Sequence, residues 1–294
     1  MTKLLFLLKL KLRIFKVFFR KKIFRLIESY LKLHITPVHF YSPIPNVGEL
    51  KTDIYTQVND CPGVEFNDNE QQSFLKTVVP AFMDEYFPLS QSGLSKVDAF
   101  LLYTIIRTKK PRLFIEIGSG ESTKISLKAI EENEKEGVQC RFIAIEPYPI
   151  KYLKDIKNPN FQLIEKKVQD VDLSTFVNAD ILFIDSSHVS KIGSDVNYEI
   201  LNIIPSLKLD ALIHWHDIMF PSDYPRSWID SGRMFWNESY MVHAFILNNE
   251  CFKVKWASKY MQINHPDLLH RTFKYFSPTD PDEQLSSFWI KRVK

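Results

Sequence analysis

Two short stretches of the sequence, Asp185-Ser-Ser-His188 and His214-Trp-His216-Asp217, bring carboxylates and imidazoles together. An imidazole titrates near neutral pH and can act as a general base, so His216 is the first candidate for that role and His188 the second. Asp185, His216 and Asp217 also offer oxygen and nitrogen donors to a divalent cation, for which the carboxylates favour Mg²⁺ or Mn²⁺. We therefore predict catalytic roles for Asp185, His188 and His216. We also predict a cation on Asp185, His216 and Asp217, with a metal-free base at His216 as the alternative.

A second constellation is the glycine-containing turn Glu116-Ile-Gly118-Ser119-Gly120-Glu-Ser122-Thr123. Its glycines permit a tight turn and a close backbone approach to a ligand, and the helix that follows begins with free N–H groups. A dinucleotide fingerprint requires a third glycine where Thr123 stands, which counts against a nicotinamide cofactor. The turn suits a ligand without a pyrophosphate, whose amino-acid tail uses polar turn residues. The predicted contacts are Gly118, Ser119, Gly120, Ser122 and Thr123, with Glu116 facing the ammonium of the tail.

Acidic and amide side chains follow the next two apolar runs of the chain. Glu146 comes 26 residues after Gly120, close to the spacing at which an acid accepts both hydroxyls of a ribose. Gln169 and Asp170 are candidate partners for the edge of an adenine, with a solvated loop as the alternative. The predicted cofactor site therefore extends to Glu146, Gln169, Asp170 and the strand-end carboxylate Asp185.

These residues need elements that bring them to one place. Short apolar runs alternate with longer amphipathic segments from residue 113 onward. This alternation predicts a parallel sheet with right-handed crossovers and helices on both faces, where ligands bind beyond the carboxyl ends of the strands. The candidates follow the runs, so we expect them at one sheet edge, whereas His214 lies inside the fifth run and is also compatible with a core position. The runs are Leu113–Ile117, Phe142–Ile145, Phe161–Ile164, Ile181–Ile184 and Ala211–His214.

The 294-residue chain has an ordinary globular composition, with 45% hydrophobic and 25% charged residues. Its net charge of +3 is uneven, because residues 1–32 hold ten Lys or Arg and one Glu, whereas the remainder is acidic. The basic isoelectric point therefore does not indicate a nucleic-acid partner. Three cysteines without metal-type spacing argue against a disulfide framework and for a reducing compartment, so we expect a cytoplasmic protein.

The basic start of the chain has helical periodicity and predicts an amphipathic helix over residues 1–33. Residues 1–32 suit an anionic membrane surface, which would place the protein peripherally at the inner face of the membrane. The longest uncharged stretch, Leu4–Leu8, is far too short to cross a bilayer. The alternatives are packing on its own domain or on a second subunit of an oligomer, and an organelle transit peptide. A proline-rich connector with a helical lead-in over 34–95 and a sheet domain over 96–294 complete the predicted organisation.

The segment 218–236 is rich in proline and aromatic residues and is predicted to cover the site. Aromatic rings and arginines suit stacking on sugars or binding of an acidic substrate. We expect Tyr224, Arg226, Trp228 and Trp236 to face the substrate, with a loop that merely packs on the domain as the alternative.

These motifs together resemble the class I S-adenosylmethionine-dependent methyltransferases, and more closely the bacterial branch called methyltransferase family 24. The similarity covers roughly residues 37–260 and includes Phe183-Ile-Asp-Ser-Ser-His188, Phe220-Pro-Ser-Asp-Tyr-Pro225 and Phe235-Trp-Asn-Glu238. It implies S-adenosylmethionine as cofactor and an α/β, Rossmann-like, seven-stranded, mostly parallel sheet with an N-terminal helical extension. The last two strands, Phe252–Trp256 and Phe288–Lys291, would form its antiparallel edge. Similar enzymes methylate hydroxyls of sugars and antibiotics, some with a divalent metal.

The leading hypothesis is an O-methyltransferase that acts on a saccharide or glycan precursor near a membrane. Such a reaction requires an aligned nucleophile about 3–3.5 Å from the methyl group and a route for the hydroxyl proton. One alternative is a Rossmann-fold nucleotide-dependent oxidoreductase or hydroxylase-like enzyme. The other is a non-catalytic, membrane-associated scaffold that keeps the fold.

Overall fold

The computed structural model describes residues 22–34, 36, 38–85, 93–280 and 283–294. The chain divides into two compact units, residues 1–51 and residues 52–294. Most of the predicted basic helix, residues 1–21, lies outside the described residues, while residues 22–31 form helix α1. Within the described ranges, no helix combines the length and apolar character that a membrane crossing requires. The predicted three-part division of the chain stays a prediction.

Seven strands form one sheet in the second unit. Their bounds are β1 Leu113–Ile117, β2 Arg141–Ile145, β3 Phe161–Ile164, β4 Ile181–Ile184, β5 Leu212–Trp215, β6 Phe252–Ala257 and β7 Phe288–Arg292. The strand order is β3-β2-β1-β4-β5-β7-β6. Neighbours among β1 to β5 pair in parallel, whereas β7 is antiparallel to both β5 and β6. The predicted seven-stranded sheet with an antiparallel edge is confirmed.

Alternate side chains of the strands enter two separate core layers. On β1, Phe114 packs in one hydrophobic cluster with Ile125, whereas Ile115 packs in the other with Val196 and Ile203. Since both faces of the sheet are covered, the parallel strands are continuous apolar runs rather than alternating ones. This burial fixes the strand register and with it the positions of the residues that follow each strand.

Helices cover the sheet and connect its strands. Their bounds are α2 Asp68–Thr77, α3 Lys96–Lys109, α4 Ser122–Lys135, α5 Lys151–Asp155, α6 Asp195–Tyr198, α7 Ile204–Ser206, α8 Arg226–Asp230, α9 Glu238–Ile246, α10 Ser258–Asn264 and α11 Pro266–Thr272. A π-helical segment, Glu199–Ile203, joins α6 to α7. Helix α3 begins at Ser95, whose hydroxyl accepts a hydrogen bond from the backbone N–H of Asp98 at 3.0 Å.

The fifth strand is displaced by one residue from the predicted run, since it covers Leu212–Trp215 instead of Ala211–His214. Trp215 and His214 are therefore both inside the strand, and His216 is the first residue beyond it. The fourth strand ends at Ile184, as predicted, so Asp185 is its first following residue. This matching of strand ends brings Asp185 and His216 to the same edge of the sheet.

Candidate active site

A cleft of about 440 Å³ opens at the carboxyl ends of β1 to β4. Its volume is that of a small-molecule site, and its place in the fold is where ligands bind in open α/β sheets. Its walls come from the ends of four strands and from the start of the chain that leads into α6. The lining residues are Ile117, Gly118, Ile145, Glu146, Pro147, Tyr148, Lys167, Val168, Gln169, Asp185, Ser186, Ser187, Lys191, Gly193, Ser194 and Asp195.

The glycine turn after β1 fits closely against the end of β4. Gly118 has a φ of +78°, and a Cβ built there would lie 1.7 Å from the backbone oxygen of Asp185. Only glycine combines this backbone conformation with that approach. Gly120 differs, because a Cβ at that position meets no described atom within 4 Å. The turn is therefore tight at Gly118 and open at Gly120.

The carboxylate of Glu116 lies beneath this turn and is fully buried. Its oxygens accept hydrogen bonds from the hydroxyls of Ser122 and Thr123, each at 2.6 Å. Burial raises the pKa of Glu116 to about 7, although the two hydroxyls lower it. The structure thus places Ser122 and Thr123 inside the turn, as partners of Glu116 that join β1 to the start of α4. Contacts of these three residues with a ligand stay a prediction.

Two of the three predicted nucleotide contacts line the cleft. Glu146 lies half-buried at the end of β2 and accepts a hydrogen bond from the backbone N–H of Tyr148 at 2.8 Å. Gln169 is also half-buried, and its side-chain amide donates to the backbone oxygen of Gly193 at 2.9 Å. Asp170 is exposed and does not belong to the described lining. The structure brings Glu146 and Gln169 together at the cleft and leaves Asp170 outside it.

Two imidazoles and two carboxylates converge beyond β4 and β5. One carboxylate oxygen, Oδ1 of Asp185, lies 3.3 Å from Nε2 of His188 and 3.4 Å from Nδ1 of His216. The carboxylate of Asp217 completes the group at 3.6 Å from His188 and 3.5 Å from His216. Among the predicted catalytic residues, Asp185 therefore contacts both His188 and His216. Asp185 also lines the cleft, so the charged cluster reaches the cleft through this residue.

A buried carboxylate that the sequence did not single out stands behind His188. Glu238, the first residue of α9, lies with Oε2 2.8 Å from Nδ1 of His188 and is only 1% exposed. A second buried acid, Glu199 in the π-helical segment, accepts a hydrogen bond from Ser186 at 3.1 Å. Glu238 lies 50 residues after His188, and Glu199 lies inside a helical pattern, so neither residue directly follows a strand in the sequence. The motif Phe235-Trp-Asn-Glu238 is visible in the sequence, but it does not predict a role for the side chain of Glu238.

The electrostatics of the cluster follow from these contacts. Burial opposes the charged form of each imidazole, but hydrogen bonds to Asp185 and Glu238 raise the pKa of His188 to about 11. The charges on Asp185 and Asp217 likewise raise the pKa of His216 to about 9 against the effect of burial. Burial would raise the pKa of Asp185, yet His216 and His188 hold that pKa well below its usual range. At neutral pH His188 and His216 are therefore imidazolium groups paired with the carboxylate of Asp185.

The predicted metal site is not supported by this arrangement. Within the described part of the chain, no group of three or more His, Cys, Asp or Glu side chains is placed to hold a metal ion. Asp185, His216 and Asp217 contact one another instead, as ion pairs between carboxylate and imidazolium. Ser286 adds a hydroxyl that donates to Asp217 at 3.0 Å.

His214, inside β5, occupies a different environment from His216, although their rings stack at 6.4 Å between centroids. Its ring stacks on Phe183 at 4.0 Å between centroids and packs against Trp289 at 4.6 Å. Burial and the neighbouring charge of His216 lower its pKa well below the ordinary histidine value. His214 is thus a neutral core histidine, as the alternative interpretation of the sequence proposed.

The predicted substrate loop supplies aromatic rings beside His188. The ring of Trp236 lies 4.5 Å from that of His188, and Trp228 meets Trp236 edge-on at 5.3 Å. Tyr224 is buried and structural, because its hydroxyl accepts a hydrogen bond from the backbone N–H of Ser239 at 3.0 Å. Arg226 is exposed and its Nε donates to Asp230 at 2.8 Å. Of the four predicted loop residues, only Trp236 has a ring contact with the charged cluster among the described residues.

Part of this sequence is similar to known proteins. The model of a methyltransferase domain, of the type called family 24, matches residues 115–218. A relative from Archaeoglobus fulgidus, an uncharacterised protein, is 31% identical over 161 residues, which are 48% of this chain and 71% of the relative. The region that matches the family model runs from the middle of β1 to the residue after Asp217. It therefore contains both the glycine turn and the charged cluster.

Solved methyltransferase structures show limited similarity to this chain, at low sequence identity. The Podospora anserina methyltransferase PaMTH1, bound to S-adenosylhomocysteine, is similar with a TM-score of 0.44 and 16% identity over 79% of this chain and 90% of its own. The Streptomyces achromogenes O-methyltransferase TomG, in complex with S-adenosylmethionine, has a TM-score of 0.43 and 13% identity over 75% and 89% of the two chains. An O-methyltransferase from Bacillus cereus has a TM-score of 0.39 and 13% identity, over 76% and 91%.

The matched domain and the relative define the family, and the sheet and its cleft agree with that definition. The chain belongs to the class I S-adenosylmethionine-dependent methyltransferases, with a domain of the family 24 type. The residues of the cleft also fit this cofactor. The turn leaves room above Gly120, and Glu146 lines the cleft at the end of β2, where an acid can accept ribose hydroxyls.

Proposed function

We propose that this protein transfers a methyl group from S-adenosylmethionine to a hydroxyl of a saccharide or glycan-type acceptor. The observation that carries the proposal is the position of Asp185, which lines the cleft and contacts both His188 and His216 through one oxygen. The cofactor cleft and a group of ionisable side chains therefore meet at Asp185. An enzyme that methylates a hydroxyl needs both, since the acceptor must lose its proton as it attacks.

The turn at Gly118–Gly120 and the carboxylate of Glu146 would hold the cofactor. When bound, S-adenosylmethionine supplies an electrophilic methyl group on a positively charged sulfur. The negative charge of Asp185 at the cleft wall favours a cation there. Any cation beside Asp185 competes with the imidazolium groups of His188 and His216 for the same carboxylate and lowers their pKa. An imidazole that has lost its proton in this way is available as the general base for an acceptor hydroxyl.

The acceptor class is proposed from the rings beside this cluster. Trp236 and Trp228 are half-buried, which leaves part of each indole open to a ligand. Indole faces stack well on the C–H faces of sugar rings, and indole N–H groups can bond to sugar hydroxyls. A pyranose held against Trp236 would present its hydroxyls toward His188, whose ring is 4.5 Å from the indole.

Calorimetric titration with S-adenosylmethionine tests the cofactor half of the proposal. We expect binding by the full chain and its loss in Gly120→Arg, which fills the open space of the turn, while Gly120→Ala retains it. Unchanged far-UV circular dichroism would show that the arginine variant folds. The absence of binding by the unaltered protein at millimolar cofactor would refute the proposal.

Transfer of a radiolabelled methyl group to fractionated cell pools tests the acceptor half. We expect label in a saccharide fraction that survives mild alkali, because a methyl ether is stable where a carboxyl ester is hydrolysed. Label confined to peptides or to an alkali-labile product would contradict a saccharide hydroxyl. The same assay in strong chelator tests the predicted cation. A loss of activity that Mg²⁺ or Mn²⁺ reverses would establish that the reaction requires the cation, whereas persisting activity would contradict that requirement.

We propose as a second function that the first unit binds an anionic membrane surface. In its described part, Leu26, Tyr30, Leu31 and Phe40 are 54%, 81%, 63% and 87% exposed, and basic residues Lys22, Arg25 and Lys32 stand among them. Exposed apolar side chains next to cations favour an anionic bilayer interface. Flotation with phosphatidylglycerol vesicles, compared with phosphatidylcholine vesicles and with a chain lacking residues 1–32, tests this. Equal recovery in all three would contradict it.

A further inference from the structure

Glu238 holds His188 from the side opposite the reacting groups. Nδ1 of His188 lies 2.8 Å from Oε2 of Glu238, while Nε2 of the same ring faces Asp185 at 3.3 Å and Asp217 at 3.6 Å. With a hydrogen bond at Nδ1, the ring cannot rotate about χ2 without breaking that bond and burying an unpaired carboxylate. Nε2 is therefore directed to the end of the site where Asp185 lines the cleft.

The backbone contacts of His188 point to the same element. Its carbonyl oxygen accepts hydrogen bonds from the backbone N–H groups of Asn237 at 3.1 Å and Glu238 at 3.2 Å, at the start of α9. The side chain of Asn237 accepts a further bond from the N–H of Ser190 at 2.6 Å. His188 itself has a φ of +59°, which is unfavourable for a residue other than glycine. The start of α9 thus fixes both the backbone and the ring of His188.

We propose that Glu238 is a positioning residue for the transfer reaction, holding the imidazole of His188 with Nε2 directed toward the reacting groups. This inference rests on the proposed function only in assigning the reaction that His188 serves. In known sites of this type, a carboxylate binds one ring nitrogen of a histidine and so orients the other ring nitrogen toward the reaction.

Glu199 provides a matched comparison because it is a second fully buried glutamate in the same region. It contacts Ser186 and, in the described structure, has no contact with the ring of His188. Burial and the nearby carboxylate of Glu238 raise its pKa well above the ordinary value. The amide in Glu199→Gln keeps an oxygen that can accept the hydrogen bond from Ser186, and among the described residues it removes no hydrogen bond to the ring of His188.

The experiment compares Glu238→Gln, Glu238→Leu and Glu199→Gln in the full chain. Partners that orient a functional histidine typically contribute about 10–100-fold to activity. We expect kcat with the labelled acceptor fraction to fall about tenfold in Glu238→Gln, where the amide oxygen still accepts from Nδ1, and about 100-fold in Glu238→Leu. The KM for acceptor and the Kd of S-adenosylmethionine should stay within about threefold, and Glu199→Gln should keep kcat within about threefold.

A spectroscopic measurement keeps the inference separable from the methyl transfer itself. Histidine side chains labelled with ¹⁵N, assigned with His188→Gln, should show a downfield, exchange-protected Nδ1–H proton for His188. We expect this signal in the unaltered protein and in Glu199→Gln, and its loss in Glu238→Leu. Retention of the signal in Glu238→Leu, or an equal loss of kcat in both Glu→Gln variants, would overturn the positioning role. Failure to bind S-adenosylmethionine would refute the proposed function but leave the result on Glu238 standing.

Discussion

A β-carbon on Gly118 would lie 1.7 Å from the backbone oxygen of Asp185, so the turn after β1 touches the end of β4. This contact makes the glycine turn part of the fold as well as part of the cleft. Substitution of Gly118 forces a shift of the backbone that carries Asp185, in addition to the strain of a positive φ. We expect Gly118→Ala to lower the free energy of unfolding, measured by urea denaturation, by about 1–3 kcal/mol from backbone strain alone. The displacement of the Asp185 backbone should add to this loss.

Gly120 is the control for Gly118 and has its own predicted effect. Its neighbourhood is open, and its φ is not in the left-handed region. We expect Gly120→Ala to leave the free energy of unfolding within about 0.5 kcal/mol of the parent, because surface substitutions away from special geometry cost little. Equal destabilisation by the two alanines would show that the contact with Asp185 does not decide the stability of the turn.

Glu116 should make the stability of the protein depend on pH. Burial raises its pKa to about 7, above the unfolded value near 4.5. The stabilising contribution of the protonated group is therefore fully present below about pH 4.5 and is lost as pH rises through 7. We expect the difference in unfolding free energy between pH 5 and pH 8 to shrink by about 2–3 kcal/mol in Glu116→Gln.

A glutamate elsewhere on α4 gives the control for this measurement. Glu131 is exposed on the same helix whose first turn binds Glu116. Glu131→Gln should leave the pH dependence of unfolding as it is in the parent. If Glu116→Gln also leaves it unchanged, the carboxyl group is ionised in the folded state across this range, contrary to its burial.

His214 and His216 form a pair in which one residue packs in the core and the other belongs to the charged cluster. His214 stacks on Phe183 and packs against Trp289, whereas His216 contacts Asp185 and Asp217. We expect His214→Phe to retain methyl transfer within about threefold, because a second aromatic ring preserves the stacking. His216→Phe should reduce transfer by about 100-fold, since general-base catalysis contributes roughly 10²–10⁴-fold. If a radiolabel assay shows a larger loss of methyl transfer in His214→Phe than in His216→Phe, the two roles are assigned the wrong way round.

The two tryptophans of the substrate loop should act on the acceptor and not on the cofactor. Trp236 lies against His188, while Trp228 contacts Trp236. We expect Trp236→Ala to raise the acceptor KM about tenfold, corresponding to the roughly 1–2 kcal/mol of an aromatic stacking contact. Binding of S-adenosylmethionine, measured by calorimetry, should change less than about threefold. A larger effect on the cofactor than on the acceptor would place the acceptor elsewhere.

The sheet and the location of the site could be predicted because both depend on local pattern. Apolar runs followed by Gly118, Glu146 and Asp185 predicted the ends of β1, β2 and β4, whereas the end of β5 is displaced by one residue. Parallel strands place their ends at one edge. The family resemblance added the strand number and the antiparallel pair. What the pattern could not show is the direction of each side chain at that edge. Asp170, predicted beside Gln169, is exposed instead.

Two features of the site depend on contacts between distant parts of the chain, and a third joins β1 to the next helix. Glu238 meets His188 across 50 residues, and Ser286 meets Asp217 across 69. Glu116 has hydroxyl partners in the following helix, which a sequence pattern reads as ligand-facing polar residues. The pairings of Glu238 and Ser286 are decided by how α9 and the strand pair β6–β7 pack on the sheet. No local periodicity in the sequence indicates this packing.

The strand order has a consequence for the assembly of the protein. Because β7 lies between β5 and β6, β6 has no neighbour in the sheet until β7 is made, and the edge of β5 stays unpaired meanwhile. During synthesis, β5 therefore has unpaired backbone groups along one edge, directly before His216, until β7 is made. An unpaired strand edge invites pairing with another chain. The late arrival of β7 therefore closes the period in which a nascent chain is vulnerable to aggregation.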